Sequence, residues 1–344
     1  MGVISALIAV IILIFVSWGG VRGLGLTYLF GVIVPYAALA IFFFGVLHRL
    51  IRWSRIPNPF SIPTTGGQQK GLDWIRQARF DNPYTSGQVV GRVFSEVVLF
   101  RSLFRNLAPR VGADNEGLTY ASAKWLWLFS IVFHYALLVT LFTHLRFFTS
   151  PVPWPVRSVA AIDGWMEVGV PPVLFSGLLL LSALLLLLAR RLFMPRLRYV
   201  SLMNDYFPLF LLIAIAVTGA LMRYVVGIDV SSVKQLMMGL ISFKPVMIEG
   251  IGSLFFVHLF LVSTLLAYFP FSKLMHAGGV FFSPTRDLAN NNRAVHHVNP
   301  WNYPVKFHSY EAYEDEYRQK MVEAGIPVEH PLEPSPDKES EGGK

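Results

Sequence analysis

Four of the nine histidines lie within or at the end of strongly apolar stretches: His134 and His144 in one, His258 and His276 in or just beyond another. An imidazole in hydrocarbon is costly and must face a bundle interior. A neutral imidazole there supplies a lone pair for haem iron, and two facing imidazoles on different helices hold a b-type haem. His134 and His144 are ten residues apart, about 15 Å along a helix, which suits two stacked cofactors. His258 and His276 are eighteen apart, five ideal turns and about 27 Å, so both rings share one helix face. The two spacings differ in length, and a tilt or a kink near Pro270 must absorb the difference. No cysteine is present, which excludes a disulfide, a thiolate-held iron–sulfur cluster and a covalently attached haem.

Helices across a bilayer must position these rings. The 344 residues are 54% hydrophobic and 15% charged, a membrane-protein composition. Six segments approach the length of about 20 residues needed to cross: 3–20, 26–50, 124–148, 172–190, 205–226 and 249–272. They lack the alternation of barrel strands, so an all-α, six-span bundle is predicted. The first, Val3 to Trp18, has no basic flank or small-residue cleavage site and reads as a retained helix.

Net charge is +8, but the basic residues gather between spans, which indicates topology rather than nucleic-acid binding. The connection after the second span (Arg49 through Arg110) and that after the fourth (Arg190, Arg191, Arg196, Arg198) are the basic ones, so both are predicted to be cytoplasmic, as are both termini, in the cell's inner membrane. The third and sixth spans then run antiparallel. His134 pairs with His276 on the inner side and His144 with His258 on the outer, so two haems b are predicted. His48, beside Arg49 and Arg52, reads as a snorkelling boundary residue. His296, His297 and His308 read as surface or partner-facing groups, and His330 as part of a disordered end.

The chain divides into two N-terminal spans (1–50), a basic cytoplasmic or interfacial loop (51–123), a four-helix dihaem core (124–280) and a tail (281–344). Within the loop, Gly71–Phe80 and Gly87–Leu107 mix apolar and basic residues and are predicted as short amphipathic helices. The Asn- and aromatic-rich stretch from Phe281 to Tyr317 reads as a partner-docking strap, and disorder is expected from about Pro327. Near the outer haem, Arg146, Asp163, Glu167 and Glu249 are candidates for quinone hydrogen bonding or proton exit, against ordinary boundary polarity.

The ten- and eighteen-residue histidine spacings resemble those of the gamma subunits of respiratory nitrate reductases, quinol-oxidising dihaem cytochromes b. The added first helix, the long basic loop and the tail Ala289-Asn290-Asn291-Asn292-Arg293 to His297-Val298-Asn299-Pro300-Trp301 resemble more closely the membrane cytochromes of sulfite-reduction-associated redox complexes. That resemblance implies the same ligand pairs, menaquinone as substrate, and a cytoplasmic iron–sulfur partner like the heterodisulfide-reductase catalytic subunit. It also implies a periplasmic multihaem cytochrome c, a periplasmic iron–sulfur protein and a second quinone-interacting membrane subunit, in dissimilatory sulfur metabolism. The rival expectations are a methanophenazine-linked heterodisulfide-reductase cytochrome and, outside redox chemistry, a transporter or anchor whose histidines form a proton path.

Overall fold

The computed structural model describes residues 2–56, 67–111, 118–164, 171–248, 250–292, 294–296 and 307–332. The chain has a large unit, Met1–Ser54 with Ser61–His296, and a small one, Arg55–Phe60 with His297–Lys344. The principal helices, in chain order, are α1 (Gly2–Arg22), α2 (Val34–Ser54), α3 (Ser86–Leu99), α4 (Lys124–His144), α5 (Trp154–Asp163), α6 (Phe175–Phe193), α7 (Met203–Leu221), α8 (Val230–Ile241), α9 (Ser253–Tyr268) and α10 (Tyr310–Glu323). Among the described residues, six helices are long and apolar enough to cross a bilayer: α1, α2 with its preceding wide turn, α4, α6, α7 and α9 with their terminal turns. All six fall on the predicted segments, and the chain is a multi-pass membrane protein. Phe15, Phe43, Phe44, Leu138 and Leu178 are exposed along these spans, a lipid-facing surface that water would not tolerate at such extent.

Packing follows a chain of neighbours. α4 lies on α6, α6 on α7, α7 on α9 and α9 on α2, while α1 covers α7 and α9. Val10, Leu211, Val257 and Leu261 interlock α1, α7 and α9, and Ala136, Leu180, Leu184 and Leu212 interlock α4, α6 and α7. α4 and α9, the two histidine-bearing helices, share no extended contact. Among the described residues they are joined through α6 and α7 and, past the end of α4, by Phe147 packing on the cluster of α8 and α9 residues.

Several local expectations are corrected. The sixth span is not one helix reaching His276: α9 ends at Tyr268, Phe269–Phe271 form a tighter turn, and Ser272 is extended. The same-face argument across eighteen residues therefore fails, because Pro270 lacks the N–H that would continue the ladder. The kink near Pro270 is present and removes the length mismatch. Gly45 on α2 permits it, since a Cβ there would stand 2.7 Å from the Pro270 Cβ.

Residues 71–80 form turns rather than a helix. Here local turn bonds (Ala78 N–H to Gln68 O, 2.9 Å; Asn82 N–H to Ala78 O, 2.8 Å) replace a helical ladder. The 87–107 stretch is helical as α3 and a following turn. The prediction of an all-α fold missed one antiparallel hairpin, β1 (Leu107–Val111) with β2 (Leu118–Ser122).

The start of the tail is fastened to the chain's own loop. Asn290 is 6% exposed; its N–H donates to Pro83 O at 2.6 Å, its amide donates to Asn82 Oδ1 at 3.0 Å, and Gln69 donates to its Oδ1 at 3.2 Å. Asn290→Ala leaves buried groups without partners and is expected to cost about 1–3 kcal/mol. A lowered melting temperature of the detergent-solubilised protein checks this, and an unchanged one refutes it.

In the small unit, α10 replaces part of the predicted strap. Ser309 caps it, accepting from the Ala312 N–H at 3.2 Å. The expectation of disorder from Pro327 is also corrected through Leu332. The Glu329 and His330 N–H groups donate to the Glu314 carboxylate at 2.7 and 2.9 Å, and Arg318 flanks it at 3.2 Å. His330 thus sits in a hydrogen-bonded return. The Glu329 N–H is the largest cause holding the Glu314 carboxyl down at about 2. Since the fold favours the ionised form, this contribution is complete above the ordinary value of 4.5 and is lost as pH falls toward about 2. The protection factors of the Glu329 and His330 amides, with intrinsic pH dependence divided out, should fall as pH drops across that interval, and Glu314→Gln should abolish the change; constant protection in the native chain would contradict it.

Candidate functional site

The bend after α9 brings His276 back to α4. The ring centroids of His134 and His276 lie 6.0 Å apart with planes at 84°. Two metal–imidazole bonds of about 2 Å each, extended to the ring centres, require a separation of about 6 Å. His134 is wedged edge-on between Phe133 and Phe100, at 4.8 and 5.0 Å. Phe100 adopts a left-handed conformation (φ 51°) where α3 ends, so the loop before β1 contributes a wall to this pair.

The His276 turn is pinned from three elements. Arg49 of α2 donates to Pro270 O at 2.8 Å, and Lys273 pairs with Asp205 at the start of α7 at 2.6 Å. Arg191, at the end of α6, approaches the same carboxylate at 3.8 Å. All of these lie at the end of the bundle that carries the basic connections.

At the opposite end, His258 on α9 faces α7 and stands close enough to His144 for their rings to interact electrostatically. Gly219 lies against it: a Cβ there would already be in van der Waals contact, 3.4 Å from His258 Cε1, so a larger side chain would press on the ring. The structure thus brings the four histidines together as His134 with His276 and His144 with His258. His48 is exposed on α2, and His296 and His308 are exposed in the tail. His297 lies outside the described residues.

All four rings share one chemical feature. His134 Nδ1 lies 2.7 Å from Ser130 O, His144 Nδ1 2.6 Å from Thr140 O, and His276 Nδ1 2.8 Å from Lys273 O. A carbonyl oxygen only accepts, so each Nδ1 carries the proton and each Nε2 keeps the lone pair. His258 Nδ1 lies 2.9 Å from Thr218 Oγ1, whose own hydrogen is directed to Ala214 O at 2.8 Å. The hydroxyl oxygen therefore accepts from His258 as well. Orienting a ligand histidine through its second nitrogen is how proteins prepare imidazoles for metal. These residues fit axial ligation of haem.

Of the other candidates, Asp163 is 6% exposed and spoken for: its carboxylate accepts from Ser176 N–H at 2.7 Å and Ser176 Oγ at 2.6 Å, anchoring the start of α6. Arg146 lies on the turn that continues α4, with a buried Nε lacking any partner. Glu167 and Glu249 lie outside the described residues. Sequence reasoning missed Thr218, Gly219, Phe100, Lys273 and Arg223. The Thr218-Gly219 pair was detectable as small polar residues inside an apolar span. Phe100 offered no signal, because only the loop's path brings it to His134.

Six membrane spans with facing, pre-oriented imidazole pairs at both ends of a helix bundle have the layout of a membrane cytochrome b. The chain belongs to the nitrate reductase gamma subunit family, whose model matches residues 93–295. It is 49% identical over 280 residues to an Archaeoglobus fulgidus protein called Hdr-like menaquinol oxidoreductase cytochrome b-like subunit, covering 79% of this chain and 83% of that one. It is 40% identical over 275 residues to the protein of the same description from Archaeoglobus profundus, covering 78% and 81%. Family and relatives together make it a redox electron-transfer subunit.

Proposed function

We propose that this chain is a dihaem cytochrome b that passes electrons between menaquinol in the membrane and an iron–sulfur subunit docked at the basic end of the bundle. The observation carrying this reading is that all four of these histidines have Nδ1 committed, leaving each Nε2 lone pair unused, and that the rings fall into the neighbours His134 with His276 and His144 with His258. His134 and His276 would hold one haem, His144 and His258 the other. A haem held by either pair would supply one-electron redox chemistry, with its potential set by the two imidazoles and their surroundings. The protein's part is orientation. Ser130, Thr140, Lys273 and Thr218 fix the rings.

The Arg-rich connections support a topology in which the His134–His276 end and both termini face the cytoplasm, across the inner membrane, with the His144–His258 end facing outside. Quinol oxidation near that outer end releases protons outside while electrons travel inward. Glu167 and Glu249, in sequence segments between spans predicted on that side, are the acidic groups proposed to receive them; Asp163 anchors the start of α6. The relatives' description supports a heterodisulfide-reductase-like partner. A sulfur-metabolising complex would add a periplasmic multihaem cytochrome c, a periplasmic iron–sulfur protein and a second quinone-interacting membrane subunit.

Anaerobic addition of a menaquinol analogue to the purified protein should develop the reduced b-type absorbance, and an inhibitor of quinol binding should prevent it. A protein that contains haem but is not reduced by quinol would refute the quinol assignment. A protein purified without b-type haem would refute the cytochrome reading itself.

A further inference from the structure

We propose that Arg146 and Arg223 form a paired cationic clamp for the two carboxylates of the haem held by His144 and His258. The inference rests on the dihaem reading above and assigns Arg146 to the haem rather than to quinol. Arg146 stands two residues beyond His144, on the turn Leu145–Phe147. Arg223 stands four residues beyond Gly219, the residue that lies against His258, on the wide turn Met222–Val226. Two helices therefore each end by delivering one guanidinium to the same end of the bundle.

The surroundings give these cations aromatic faces, Phe147 at 4.8 Å from Arg146 and Tyr224 at 5.6 Å from Arg223, but no anion among the described residues. Each Nε is buried without a hydrogen-bond partner, and the two charges lie close enough to repel. Among the described residues, no carboxylate stands within ion-pair distance of either. Asp163 is committed to Ser176. Arg223 spends one Nη on Pro172 O at 3.1 Å, which aims the side chain without neutralising it. Two like charges with unfilled donors at a membrane boundary call for two anionic acceptors. A b-type haem has two carboxylates, and guanidinium recognises a carboxylate through paired N–H donors. A quinol carries no such charge.

The test is a redox titration of the native complex, followed at the b-type band, for Arg146→Gln, Arg223→Gln and the two Lys variants. A guanidinium beside a haem favours the reduced iron, so each Gln variant should shift one haem's equilibrium toward the oxidised form by about tenfold, or about 59 mV lower for one electron. The other haem should keep its midpoint, and the Lys variants should restore most of the shift. Unchanged midpoints with both haems retained would overturn the clamp while leaving the cytochrome reading intact. Equal shifts of both haems would also overturn it. So would Glu167→Gln or Glu249→Gln raising the midpoint by as much as the arginine variants lower it, because the cations would then belong to those glutamates. A shift that appears in vesicles of anionic lipid and vanishes in zwitterionic ones would assign the pair to lipid phosphate instead.

Discussion

His258→Ala should remove about half of the haem from the purified protein and leave the remaining half with its original midpoint. The substitution deletes a ligand whose ring is oriented by Thr218 and flanked by Gly219, and nothing at the His134–His276 end depends on that arrangement. His144→Ala should behave in the same way. His134→Ala and His276→Ala should remove the complementary half, so that the spectra of the two groups sum to the native one. His48→Ala should retain all the haem, since His48 is exposed on α2. Haem content per chain by pyridine haemochrome and a redox titration check this. Equal loss of both haems from every variant would show that the histidines do not act as two pairs. His276→Ala is the most informative, because His276 depends on a bend rather than on a continuous helix.

The second large effect concerns Gly219 and Thr218. Gly219→Leu places side-chain atoms where the His258 ring lies, since even a Cβ would stand 3.4 Å from its Cε1. The ring must turn away, and the haem at that end should be lost as fully as in His258→Ala. Thr218→Val keeps the shape and removes the oxygen that accepts from His258 Nδ1 at 2.9 Å. Loss of such an orienting partner typically weakens metal binding by roughly 10–100-fold, so this variant should bind haem but release it to apomyoglobin far faster. The contrast between an absent and a loosely held haem separates steric exclusion from orientation. If Gly219→Leu kept both haems with native midpoints, the placement of His258 against α7 would be wrong.

Much of this was legible before any coordinate. Six apolar segments of bilayer length forced six helices, because backbone polar groups in lipid have no other partner. Two pairs of histidines in or just beyond those segments, combined with antiparallel spans, were enough to predict His134 beside His276 and His144 beside His258. The absence of cysteine narrowed how any haem is held. The loops were less readable. Residues 71–80 have the composition of an amphipathic helix but settle into turns built on Ala78 and Asn82, and Asn290 looked like a partner-facing residue although it docks on Pro83. Acidic and tyrosine-rich α10 carries no apolar stripe that would announce it, and its return to Glu314 uses backbone N–H groups that composition does not reveal.

The sequence by itself determined the number of spans and narrowed the proposed ligands to four histidines, because burial in lipid constrains residue type along one dimension. Only the tertiary structure decided how His276 reaches His134 and which nitrogen of each ring is free. The first depends on Pro270 ending a helix against Gly45, and the second on acceptors such as Thr218, forty residues from the ring it orients. Hydrogen bonds and close contacts are set by distances in space, and spacing along the chain does not encode them.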